Sequence, residues 1–199
     1  LGGVFPLYSV GARVRFADGR RGVLEADWRE DTGKAPTLDQ IYIDVGATGK
    51  DDCPVKVGDV AIFHQGLESV GERLIAKSMD DRIGCAILIE TLRRLKQTPH
   101  EVYFVFSVQE ETTSAGARTA AYSIDPDIAI AVDLTGTGDT PKAQPMAVEM
   151  GKGPAIKVRD AGMIADPRVK NWMVQRAGAA KIPHQLEIFR LGTTDVQVV

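Results

Sequence analysis

Carboxylates are the side chains of this 199-residue chain whose spacing points most clearly to chemistry. Asp80 and Asp81 are adjacent, Glu110 and Glu111 form a second adjacent pair, and Asp133 comes later in the chain. Each position follows a run of apolar or β-branched residues that predicts a strand. Ligands of an open α/β sheet bind outside the carboxyl ends of its strands. The spacing therefore predicts these five carboxylates along one edge of a sheet.

Each acid alone also has an ordinary structural explanation. Asp80 could cap a helix that begins near Arg82, and Asp81 could interact with the positive end of its dipole. The remaining acids could lie in turns or solvated loops. Carboxylates that are crowded together, however, repel one another and raise each other's pKa values unless a cation compensates. As a set, they favour a site for divalent metal ions.

The adjacent pair Glu110 and Glu111 could divide two tasks of a metal-dependent hydrolase. Two metal ions that share one carboxylate can acidify a water molecule and polarise a carbonyl group. A further carboxylate, which is not a ligand, must then accept the proton of that water. Neighbouring residues of a straight strand point to opposite faces. The pair therefore requires a bend, which residues 112–116 permit.

Strands and helices alternate from residue 73 onwards. Apolar periodicity predicts a helix over 83–96, a shorter helix over 114–122, and a further helix that Asp166 and Pro167 begin. Strands are predicted over 73–79, 101–108, 128–132 and 185–189. This order predicts an α/β fold with a largely parallel sheet covered by helices.

The first part of the chain, residues 1–72, has a different texture. Short β-branched runs predict strands over 12–16, 22–24, 41–45 and 59–63, separated by turns that include residues 31–33. Many short strands at this spacing are typical of a small β-barrel or sandwich. We therefore expect a separate β-rich domain over residues 1–72, without a catalytic cluster of its own.

The composition excludes some classes of protein. Hydrophobic residues make up 44% and charged residues 26%, as in ordinary globular proteins. A net charge of -3 argues against nucleic acid as a partner, and no apolar run approaches the roughly 20 residues that cross a membrane. Cys53 and Cys85 form neither a disulfide framework nor a metal-binding spacing. A reducing cytoplasm fits this pattern best.

Several motifs in order carry a resemblance to a known family. The motifs are Lys-Ser-Met-Asp-Asp-Arg-Ile-Gly-Cys-Ala at 77–86, Gln-Glu-Glu at 109–111, Val-Asp-Leu-Thr at 132–135, Gly-Asp-Thr-Pro at 138–141, Gly-Lys-Gly-Pro at 151–154, Asp-Ala-Gly-Met at 160–163 and Gly-Thr-Thr-Asp at 192–195. In these motifs the chain resembles the tetrahedral (glutamyl-type) metallo-aminopeptidases, members of which have also been described as cellulase M or endoglucanase-like. The resemblance is dense over residues 73–199.

The resemblance implies a role for each acid. Asp80 would bridge two divalent metal ions, zinc or cobalt, and its peptide bond to Asp81 is often cis in such sites. Glu111 would bind one ion and Asp133 the other, while Glu110 would be the general base. Asp81 would support the ligands without being one.

The resemblance also extends beyond the metal ligands. Thr194 and Asp195 would lie near the substrate pocket. The fold would be zinc-exopeptidase-like: residues 1–72 would be an inserted β-barrel for dimerisation, and residues 73–199 part of the catalytic domain. Members assemble from dimers, commonly into dodecamers. The family's metal-binding histidines match none of His64, His100 and His184, so we expect them beyond both chain ends, in a longer protein.

These observations lead to an expected function with two alternatives. The expectation is a metal-dependent aminopeptidase that removes N-terminal residues from short peptides. A glycoside hydrolase could use the same acids without a metal, although aromatic residues make up only 6% of the chain. The second alternative is an inactive fragment or an assembly subunit.

Overall fold

A computed structural model describes residues 4–28 and 33–199 of the protein. The chain divides into two compact units, Leu1–Met79 and Asp80–Val199. The predicted change near residue 73, from a β-rich part to alternating strands and helices, falls shortly before this boundary. The predicted turn at 31–33 lies partly outside the described residues.

The first unit contains a four-stranded antiparallel sheet. A short helix, α1 (Pro6–Ser9), precedes the strands β1 (Arg13–Phe16), β2 (Arg21–Ala26), β3 (Ile41–Asp44) and β4 (Ala61–Phe63), which lie in the order β3-β2-β1-β4. In β1 the side chains of Val14 and Phe16 are buried, while those of Arg13 and Arg15, which alternate with them, are exposed. This is the alternation that one covered sheet face requires. The four predicted strands are confirmed, whereas closure into a barrel is not seen among the described pairings.

A hairpin ends the first unit. Strands β5 (Glu68–Val70) and β6 (Arg73–Ile75) pair antiparallel around Gly71, whose φ of 61° suits a tight turn. The predicted strand over 73–79 is therefore too long. Its last part enters the next helix at Met79.

Helices and one parallel strand pair make up the second unit. The helices are α2 (Met79–Arg94), α3 (Glu110–Thr113), α4 (Ala115–Ile124) and α5 (Pro167–Ala179). Strands β7 (Ala155–Arg159) and β8 (Gln185–Ile188) are parallel, and α5 connects them. The crossover is the connection that parallel strands need. Asp166 caps α5 by accepting the backbone N–H groups of Arg168 and Val169, as its sequence predicts.

Two predicted strands are wrong for this structure. Residues 101–108 and 128–132 are not strands, and their backbones form no ladder with any other part of the described chain. A strand exists only where a neighbour accepts and donates its backbone hydrogen bonds. Without such neighbours, Phe106 and Ile128 remain 47% and 64% exposed. The fold class is mixed α/β, but the described parallel sheet is the β7–β8 pair alone.

Among the helices within residues 4–28 and 33–199, none is both long enough and apolar enough to cross a lipid bilayer.

Candidate metal centre

Three carboxylates of the second unit converge. One oxygen from each of Asp80, Asp81 and Asp133 lies within 4.8 Å of the other two, and we call these residues the acidic group. The structure thus brings together three of the five predicted carboxylates. Glu111 lies outside this group in the described structure.

A kink at the start of α2 positions the first two acids. Asp80 and Asp81 have non-helical dihedral angles, and the peptide bond between them is cis, as the resemblance implies. The Oδ1 atom of Asp81 accepts the backbone N–H of Gly84 at 3.0 Å. A Cβ atom on Gly84 would collide with this carboxylate. A glycine three residues after Asp81 was the sequence signal for this packing, and our sequence reasoning missed it.

Burial raises the pKa values of two carboxylates of the acidic group, Asp81 and Asp133. Burial raises the pKa of Asp81, the N–H of Gly84 opposes this effect, and the charge of Asp80 adds to it. Asp133 is affected more strongly. Burial, and after it the charges of Asp80, Asp81 and Glu110, raise its pKa to about 7, although the backbone N–H of Leu134, which it accepts at 2.8 Å, acts in the opposite direction.

The chain bends at the glutamate pair, as the sequence reasoning required. Gln109 and Ser114 have left-handed dihedral angles, with φ of 63° and 50°, and bracket the single turn of α3. In a helical turn, successive side chains are about 100° apart rather than opposed. Glu110 is half-buried and Glu111 is exposed. Burial raises the pKa of Glu110, and the charges of Asp195, Glu111, Asp80 and Asp81 raise it further.

The two predicted substrate-binding residues lie beside this turn. Thr194 is buried, and Asp195 begins a 3₁₀ helix, Asp195–Val198. The hydroxyl of Ser107 donates to Oδ2 of Asp195, while Oδ1 is shielded from solvent and has no hydrogen-bond partner among the described residues. Ser107 was missed by the sequence reasoning. Its signal was a lone hydroxyl within an apolar run.

The donor set fits a divalent cation. All of its members are carboxylates, and within residues 4–28 and 33–199 no Lys or Arg forms an ion pair with them. Such a concentration of negative charge is stable near neutral pH only if a cation or protons compensate. Carboxylate oxygens bind divalent ions, zinc among them. The three histidines, all within the described residues, do not belong to this group.

The chain is similar in sequence to proteins named as aminopeptidases. The family profile described as M42 glutamyl aminopeptidase matches residues 1–199. A protein of Acetivibrio thermocellus, provisionally named an aminopeptidase, is 44% identical over 197 residues, which is 98% of this chain and 60% of that protein.

Solved structures show the same similarity. An aminopeptidase from the archaeon Desulfurococcus kamchatkensis superposes with a TM-score of 0.91 at 36% identity, covering 100% of this chain and 59% of its own. The TET1 peptidase of Pyrococcus horikoshii, which can assemble into a tetrahedron or a large octahedral shell, superposes with a TM-score of 0.81 at 26% identity, covering 100% and 62%. The chain thus spans about three fifths of the length of these relatives. Matched along its whole length by the family profile, this chain belongs to the M42 glutamyl aminopeptidase family.

Proposed function

We propose that the protein is a metal-dependent aminopeptidase that removes N-terminal residues from short peptides. The observation that carries this proposal is the acidic group, in which three carboxylates converge without a compensating side-chain cation in the described structure. Membership in the M42 family supports it. The alternatives are a glycoside hydrolase, and an inactive fragment or an assembly subunit, and none of them requires these charges to be neutralised by metal.

The ligands would be the ones that the sequence predicts. Asp80 would bind both of two divalent ions, zinc or cobalt. Asp133 would bind one of these ions and Glu111 the other. The ions would supply a polarised peptide carbonyl and a more acidic water. The carboxylate of Asp81 accepts the backbone N–H of Gly84, which holds it at the start of α2. From that position Asp81 would orient Asp80 and Asp133.

Glu110 would act as the general base. It is half-buried next to the acidic group, and its raised pKa brings its proton exchange towards neutral pH. A carboxylate of this kind can take a proton from the attacking water and pass it to the leaving amine. Because Glu110 and Glu111 diverge on α3, one can exchange protons while the other binds metal.

The substrate would contact the turn that carries Thr194 and Asp195. The Oδ1 atom of Asp195 is shielded from solvent and has no hydrogen-bond partner among the described residues, and a bound peptide would supply the donor that it lacks. Ser107 fixes the other oxygen of the same carboxylate. Asp195 would thereby contribute both to peptide binding and to the electrostatic environment of Glu110.

We further propose a homo-oligomer in the cytoplasm, in which dimers assemble into a dodecamer. The β-rich part, residues 1–72, would be the dimerisation domain. Its exposed apolar side chains, among them Trp28 and Val57, are suitable for an interface. The thiols of Cys53 and Cys85 are both free, as a reducing compartment maintains them. Light scattering of the intact protein tests the assembly, and a monomeric protein would contradict it.

The activity is tested by metal removal and replacement. The intact protein is treated with a chelator, and zinc or cobalt is added back while the release of chromophore from aminoacyl anilides is measured. We expect activity to disappear and then to return with added metal. An anilide whose amino group is acetylated is the matched control, because an aminopeptidase requires a free N-terminus. Hydrolysis of a β-glucan that survives chelation would contradict the proposal and favour the glycoside hydrolase.

A further inference from the structure

A buried cluster of charges lies apart from the acidic group in the second unit. Lys157 on β7 stands directly opposite Glu187 on β8, and its Nζ atom lies 3.7 Å from Glu187 Oε2. The same Nζ is 4.0 Å from Oδ2 of Asp160 and 5.5 Å from the ring centre of Phe189. Glu187 and Asp160 are only 2% and 3% exposed. A single ammonium therefore faces two buried carboxylates.

The cluster reaches the acidic group through Glu187. The hydroxyl of Thr135 donates to Oε1 of Glu187. Thr135 follows Asp133 by two residues, so this contact fixes the segment that carries an acid of the candidate metal centre. The other oxygen of Glu187 faces Lys157. Lys157 thus limits the orientations in which Glu187 can accept the hydrogen bond of Thr135.

The cluster also reaches the turn beside Glu110. The Oδ1 atom of Asp160 accepts the backbone N–H groups of Gly162 and Met163, both at 2.8 Å. Gly162 packs so closely on Thr193 that a Cβ atom would collide with its side chain. Thr193 directly precedes Thr194 and Asp195. Asp160 therefore supports the second segment that borders the candidate site.

Burial makes this arrangement sensitive to the charge of Lys157. A buried carboxylate without its cationic partner must reorient or take up a proton. Oδ2 of Asp160 has no hydrogen-bond partner among the described residues, so its contact with Lys157 is electrostatic alone. Removal of the ammonium would free both carboxylates to move.

We propose that Lys157 is a positioning residue, whose ammonium holds Glu187 and Asp160 and thereby sets the place of Asp133 in the metal centre. The proposal rests on the proposed function, because it assumes that Asp133 binds metal. Lys157 itself belongs neither to the proposed metal ligands nor to the proposed substrate-binding residues. Residues outside the ligand shell commonly change metal affinity by about 10–100-fold.

The test uses the intact protein, freed of metal by chelation and titrated with cobalt(II). Visible absorption reports the ligand geometry, and competition with a chelator of known strength gives the affinity. We expect Lys157→Met to weaken cobalt binding about 10–100-fold and to alter the absorption bands. Lys157→Arg, which keeps the positive charge, should recover most of the loss. Lys96→Met removes an exposed lysine of the same unit and should bind as the wild type does.

A second variant covers the case in which Lys157→Met does not fold. Thr135→Val keeps the shape of the side chain and all the charges but deletes its hydrogen bond to Glu187, and it should weaken cobalt binding in the same direction. Unfolding of the metal-free variants is measured alongside. If stability falls while affinity and bands stay those of the wild type, the positioning role is refuted. Failure of the wild type to bind cobalt would instead refute the proposed function, and this inference with it.

Discussion

Asp133→Asn should stabilise the metal-free protein at alkaline pH and abolish the stabilisation that metal gives. The reason lies in the raised pKa of Asp133, about 7 instead of the ordinary 3.8. Between these values the folded chain holds a proton that the unfolded chain has released, so stability falls as pH rises through this window. Asparagine cannot ionise and escapes this loss, while its amide oxygen can still accept the N–H of Leu134.

The magnitude follows from the difference between the two pKa values. At about 1.36 kcal/mol per pKa unit, the full difference corresponds to about 4 kcal/mol. Since the side chain of Asp133 is partly exposed, solvent screening reduces the expected gain to about 1–2 kcal/mol at pH 8. The gain should be smaller at pH 5, where the carboxyl of the folded wild type is still protonated. With zinc at about 100 times its dissociation constant, the wild type should gain about 2.7 kcal/mol.

The assay is urea unfolding of the chelator-treated protein at pH 5 and pH 8, with and without zinc. Asp127→Asn, which removes an exposed carboxylate of the same unit, is the control and should change stability by less than about 0.5 kcal/mol. A metal-free Asp133→Asn protein that is no more stable than the wild type at pH 8 would refute the reasoning. So would an equal response of both proteins to zinc.

Three further predictions concern Glu110 as the general base, the packing around Gly116 and the charge of Asp195. Glu110→Gln should lower kcat on aminoacyl anilides by about 10²–10⁴-fold while zinc affinity stays unchanged, and a smaller loss would exclude it as the base. Gly116→Ala should cost about 1–3 kcal/mol in urea unfolding, because its Cβ would lie 2.5 Å from the backbone nitrogen of Val108. Gly178→Ala, which meets open space in α5, should instead be neutral or stabilising, and equal effects of the two would contradict the packing. Asp195→Asn should lower the pKa of Glu110, so the acidic limb of the pH–activity profile should move to lower pH. An unmoved limb would mean that this charge does not act on the base.

Local signals explain what the sequence predicted correctly. Asp166 and Pro167 mark the start of α5, because a capping carboxylate and a proline in the first turn are local requirements of a helix. The acids Asp80 and Asp133 meet as predicted. Asp80 lies at the kink near the start of α2 and Asp133 lies outside the helices and strands, so neither backbone is held in a regular element where the side chains converge.

Other features depend on partners distant in sequence. Residues 101–108 are apolar enough for a strand, yet pairing is a property of two segments, and none of the described chain pairs with them. Strand β7 is the opposite case, because its sequence does not predict a strand but the structure contains one. The alternation around Lys157 is too short to be distinctive, and only its pairing with β8 makes it a strand. For the same reason the contact of Lys157 with Glu187, 30 residues further along, has no local signature.

The most direct test of the metal centre is anomalous X-ray diffraction at the zinc edge from crystals of the intact protein grown with zinc. The proposal predicts two anomalous peaks flanking the carboxylate of Asp80, one also in contact with Asp133 and the other with Glu111. Peaks at other places, or no peak at Asp80, would contradict the assignment of the acidic group as the metal centre.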